Sequence, residues 1–78
     1  RKYSKKKDEI VLHQSAESLE ITSIVPIIHT VNIYDSCGKL ITSRHGTTTN
    51  KVVFQVGLFC KGIYIVQVNE LRIKMLMF

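Results

Sequence analysis

The sequence predicts an all-β fold, a small immunoglobulin-like antiparallel β-sandwich of about seven strands. Three observations carry that expectation. Ile, Val and Leu dominate the apolar residues, there is no Trp, and β-branched side chains suit a pleated surface. Short apolar or alternating runs recur along the chain, separated by turn residues. No stretch joins 3.6-residue periodicity to capping residues, so no substantial helix is expected. The 78 residues make one small domain, and an apolar content of 45% is that of a packed chain rather than a disordered one.

Residues 1–9 are almost all charged or polar and read as a basic linker or disordered leader, with the folded domain spanning residues 10–78. Ile10-Val11-Leu12-His13 is a first short strand, broken by Gln14-Ser15-Ala16-Glu17. Ser18-Leu19-Glu20-Ile21-Thr22 alternates cleanly, which turns Leu19 and Ile21 inward. Residues 23–28 hold the single proline, Pro26, and are expected to bend towards the next strand. Residues 29–34 and 40–44 then form a hairpin. Asp35 and Ser36 bond to nearby backbone in such a turn, and Gly38 supplies a left-handed corner or bulge.

Residues 45–50, with Gly46 and three threonines, read as a polar loop. Lys51-Val52-Val53-Phe54-Gln55-Val56 is a strand and residues 57–61 an irregular crossing. Gly62-Ile63-Tyr64-Ile65-Val66-Gln67-Val68 is apolar on both faces and is placed centrally. Asn69-Glu70 makes a tight turn. The last strand sets Leu71, Ile73, Met75 and Met77 on one face and Arg72 and Lys74 on the other.

The formal charge of +5 is uneven. Arg1, Lys2, Lys5, Lys6 and Lys7 sit in the leader, and from Asp8 onward six bases face six acids. A nucleic-acid binder would carry its bases as a stripe or groove on the folded surface, so no nucleic acid is expected as partner. No apolar run is long enough to span a membrane, and the basic start is not followed by the apolar segment of a signal peptide. The chain opens on Arg and reads as an excised or processed piece.

Neither catalysis nor a cofactor is indicated. Cys37 and Cys60 lack metal-ligand spacing and read as two free, partly buried thiols, with a disulfide as the alternative in an oxidising compartment. His13, His29 and His45 lie on separate segments with no acid or nucleophile at a telling spacing. The four glycines are isolated and form no phosphate cradle. Tyr34 and Tyr64 lie in apolar strands and read as packing residues.

The order of these pieces carries more information than any one of them. Val31-Asn32-Ile33-Tyr34-Asp35 and Gly38-Lys39-Leu40-Ile41 are followed by a polar stretch and a strand. Lys61-Gly62-Ile63-Tyr64-Ile65-Val66-Gln67-Val68 comes next, and a final strand carries Lys74. Over about residues 10–77 the chain resembles the C-terminal sorting domains of proteins exported by the type IX (Por) secretion system of Bacteroidetes. Two departures stand out. Residues 10–15 lack the proline-containing start frequent in that family, and Cys60 stands where a proline is common.

The resemblance implies an immunoglobulin-like sandwich attached behind an N-terminal cargo domain. An outer-membrane translocon would read it, and a surface sortase-like peptidase would usually remove it. The cargo would cross the periplasm and reach the outer membrane, the cell surface or the medium. Gly38, Lys39, Gly62, Tyr64, Arg72 and Lys74 are the residues this resemblance offers for translocon recognition. The sandwich is expected to perform no chemistry and not to insert into the membrane.

An exposed sheet edge would suit such recognition, and the last strand is the natural one to supply it. The same edge would serve a homodimer. The competing reading is an immunoglobulin-like accessory or carbohydrate-adhesion module of a secreted protein, for which the shortage of aromatics is unfavourable. A remote third is a nucleic-acid-binding barrel that uses the leader.

Overall fold

The computed structural model describes the backbone of residues 2–5 and 10–77 and the side chains of residues 10–77. The described residues form eight strands and no helix: β1 (Lys2–Lys5), β2 (Ile10–Gln14), β3 (Ser18–Thr22), β4 (Ile28–Asp35), β5 (Leu40–Thr49), β6 (Lys51–Gln55), β7 (Gly62–Val68) and β8 (Leu71–Met77). Seven of these lie from residue 10 onward, the number expected. They make two antiparallel sheets, ordered β1-β2-β3-β6 and β5-β4-β7-β8. Their contacts divide the chain into two compact units, one built around each sheet.

In the first unit β2, β3 and β6 pair in register, so that Leu12, Ile21 and Val52 form one row and Gln14, Leu19 and Phe54 the next. All six are buried, because side chains two apart on a strand share a face. Between β2 and β3 the Ser15 amide donates to the Ser18 carbonyl at 2.9 Å, and the Ser18 amide donates to the Ser15 hydroxyl at 3.2 Å. The small polar residues that break the alternation are thus the residues that close the turn.

In the second unit β7 is central, between β4 and β8. Ile33, Val66 and Ile73 form a row across these three strands, all buried. The β8 alternation is as expected: Ile73, Met75 and Met77 are buried, while Arg72, Lys74 and Leu76 are exposed. The β7 strand departs from expectation on its outer side, where Ile63 is exposed and Ile65 and Gln67 are half-buried.

The chain leaves the first sheet after β3 and returns from β5 to β6. It leaves again after β6, so three connections, β3–β4, β5–β6 and β6–β7, change sheet. Paired with the order β5-β4-β7-β8, this is the Greek-key connectivity of immunoglobulin-like sandwiches. The fold class is all-β, with the two sheets of a small β-sandwich.

Three expectations need correction or extension. The polar stretch 45–49 is not a loop, because β5 runs on to Thr49. Threonines favour extended backbone, and Gly46, at φ 153°, continues the strand where a side chain would be strained. Cys37 and Cys60 are free as read, but both are exposed rather than partly buried, since each stands in a connection outside the strands. Within the leader, Lys2–Lys5 pairs with β2 as an edge strand, while residues 1 and 6–9 of the leader lie outside the described residues. A lysine-rich edge strand is a usual way to discourage further strand addition, and a polar sequence conceals it well.

Candidate recognition surface

The six residues considered for recognition all fall in the second unit, on the sheet β5-β4-β7-β8. Four gather at the end where β4 finishes and β7 begins. Asp35 organises this end. Its Oδ1 accepts the amides of Cys37 and Lys39, each at 2.9 Å. Its own amide donates to the Lys39 carbonyl at 2.9 Å, and its carbonyl accepts the Gly38 amide at 3.0 Å. Four amides and two carbonyls of residues 35–39 are thereby paired across the hairpin turn.

Gly38 sits at φ 88°, with no atom within 4 Å of where a Cβ would stand. Its requirement is for backbone conformation and not for space. Gly38→Ala is expected to destabilise the domain by about 1 kcal/mol through left-handed strain alone. Urea denaturation checks this; an unchanged midpoint would show that the turn relaxes instead.

Tyr64 is the register partner of Asp35 on β7. Its side chain is turned inward, at 7% exposure, and its hydroxyl donates to the Cys60 carbonyl at 2.7 Å. Burial raises the pKa of that hydroxyl, with the neighbouring Cys60 and Asp35 adding to the effect. Tyr64 thus pins the segment entering β7, with its ring buried. Gly62, at φ 149°, opens the strand opposite Met77. Lys39 and Lys61 are exposed on either side of this end.

Arg72 and Lys74 stand apart from that group, on the exposed face of β8, paired with Gln67 and Ile65 of β7. The Arg72 guanidinium lies over the Tyr34 ring at 5.8 Å, and the Tyr34 hydroxyl donates to Gln67 Oε1 at 3.4 Å. At an exposed site such a cation–π contact contributes roughly 0.5–1 kcal/mol, enough to orient the guanidinium. Tyr34, read as a packing residue, is half-buried on this open face.

Sequence reasoning missed the exposed apolar residues of the same sheet, Leu40 and Ile41 on β5, Ile63 on β7 and Leu76 on β8. The alternation carried the signal for Leu76, which falls on the same face as Arg72 and Lys74. The continuous apolar run of β7 concealed Ile63.

His13, His29 and His45 are all exposed and lie on β2, β4 and β5. Among the described residues no three His, Cys, Asp or Glu side chains come together as a metal site would require. Phe54 and Tyr64 are buried and Tyr34 and Phe59 half-buried, so the described aromatics form no exposed platform for a sugar.

A family described as the secretion system C-terminal sorting domain matches residues 7–76. The chain belongs to this family. No curated protein and no solved structure gives a significant match. As a sorting domain, the chain is a C-terminal signal for type IX secretion, and the accessory-module reading is not favoured. Membership implies an attached cargo, the secretion machinery as partner, and export to the cell surface or the medium. Sorting domains are not normally catalytic.

Proposed function

We propose that the translocon reads this sorting domain along β8 and the exposed face of its sheet. The observation that carries the reading is the position of β8. Among the described residues it has a neighbouring strand on one side only, so its other side offers backbone groups for pairing, and its exposed face presents Arg72 and Lys74. Arg72, Lys74 and Lys39 act as contacts. Gly38, Gly62 and Tyr64 act by holding the backbone at the turn end in one shape. The cargo precedes the domain, crosses the periplasm, and is released from it at the surface by a sortase-like peptidase cutting ahead of the sandwich. The domain reads as a label that performs no chemistry.

Charge reversal tests this. Arg72→Glu with Lys74→Glu is expected to leave a cargo fused to the domain in the periplasm, with surface display falling at least roughly tenfold. Both side chains are exposed, so the purified variant should melt within a few degrees of wild type. Normal display of a folded variant would exclude these charges from recognition.

A further inference from the structure

The turn end of the sheet β5-β4-β7-β8 contains a cleft of about 290 Å³. Its lining includes Ile41 from β5, Asp35 and Ser36 from the hairpin, Cys60 and Lys61 from the connection into β7, and Ile63 from β7. Two features set it apart from ordinary surface. Ile41 and Ile63 are 40% and 46% exposed, and Leu76, the register partner of Ile63, is 39% exposed. Isolated exposed aliphatics are normal, but here three strands of one sheet turn theirs outward at one end. The lining itself pairs one base, Lys61, with one acid, Asp35, but the charge of the unit as a whole is one-sided. The second unit carries Lys39, Arg44, Lys61, Arg72 and Lys74 against Asp35 and Glu70. Asp35 Oδ1 is already occupied by two amides of its own turn.

We infer that this cleft takes an apolar side chain from an acidic, extended segment of a partner protein. The cleft has room for a Leu- or Phe-sized group. Ile41 and Ile63 supply the apolar walls, and Leu76 continues the apolar surface beyond them. Lys61 at the mouth and Lys74 further along β8 meet carboxylates that flank the anchor in the partner's sequence. An extended segment alternates its side chains, so one apolar residue faces the cleft while neighbours reach the basic rim. A protein partner fits better than a lipid surface, because the apolar residues line a concavity and do not protrude together. The inference rests on the sorting reading, since it takes the partner segment to belong to the secretion machinery.

Fluorescence anisotropy with the full chain tests it. The probes are three dye-labelled peptides of equal length that alternate Glu with Leu, Glu with Ser, or Lys with Leu, and vesicles of anionic phospholipid serve as competitor. The Glu–Leu peptide is expected to bind at least roughly tenfold more tightly than the other two, and to weaken as salt is raised. Ile63→Asp and, separately, Lys61→Glu should each weaken it at least about tenfold; Lys61→Glu preserves the test if the first variant fails to fold. Equal binding of the Lys–Leu or Glu–Ser peptide, no effect of either substitution, or displacement by the vesicles would overturn the inference.

Surface display of a fused cargo separates the two readings. Lost peptide binding with normal display in Lys61→Glu would overturn only the assignment of the cleft's partner to the secretion machinery. Display that survives removal of the whole domain would overturn both.

Discussion

Val66→Asp is expected to abolish the cooperative unfolding transition of the domain. Val66 is fully buried at the centre of β7, between Ile33 on β4 and Ile73 on β8, both also buried. Shortening it to Ala removes only packing and should cost about 2–3 kcal/mol. Asp places a carboxylate where the adjacent side chains are aliphatic. Leaving a charge buried and unpaired costs several kcal/mol, against a total stability of roughly 5–15 kcal/mol for small domains.

Protonation gives the direction of rescue. Burial would raise the pKa of the new carboxyl in the folded state, so between its unfolded and folded pKa values the native state binds more protons than the unfolded one. Stability therefore falls as pH rises through that window and recovers as pH falls. Circular dichroism and thermal melting at neutral and mildly acidic pH check this. A sharp neutral-pH transition like that of wild type would show that the sheet centre is looser than its burial implies. A cargo carrying this variant should also fail to reach the surface. It differs there from the Arg72→Glu, Lys74→Glu pair, which is expected to keep its melting transition.

Core and surface were not equally legible in the sequence, and the difference has a physical basis. Where a strand has one buried face, alternation states which side chains point inward, as in Ser18-Leu19-Glu20-Ile21-Thr22 and in β8. Where a strand is apolar throughout, alternation is silent, and the outward turn of Ile63 shows only in the sheet. The polar stretch after Arg44 was open to two readings because threonine and glycine serve both loops and exposed edge strands, and β5 is an edge. The motifs Gly38-Lys39 and Gly62-Ile63-Tyr64 pointed to the right family, and the apolar strand around Tyr64 to the packing role that its burial bears out. The cleft beside them is made by three strands and a turn, which no local spacing encodes.

The contact least visible in the sequence belongs to Asn69, and it yields the second large prediction. The tight turn at Asn69-Glu70 was plain from residue type. Its link to a segment some forty residues upstream was not. Asn69 Oδ1 accepts the amide of His29 at 3.0 Å and that of Thr30 at 3.2 Å. The Asn69 amide donates to the Thr30 carbonyl at 2.7 Å, and Gln67 Nε2 donates to the Asn69 carbonyl at 3.1 Å. One side chain thereby ties the β7–β8 turn to the start of β4.

Asn69 also has φ 56°, a left-handed conformation that Asn tolerates better than most residues. Asn69→Ala is expected to destabilise by about 2–3 kcal/mol, roughly 1 from backbone strain and the rest from two amides losing their acceptor. For a domain of this size that lowers Tm by roughly 10–20 °C. Asn69→Gly separates the terms, because it removes the acceptor but relieves the strain, and should fall between wild type and Ala. Asn69→Asp keeps an acceptor at the same place and should melt closest to wild type. If Gly and Ala melted together, backbone conformation would be excluded. If Asp melted as low as Ala, the hydrogen bonds to His29 and Thr30 would not be what holds the turn to β4.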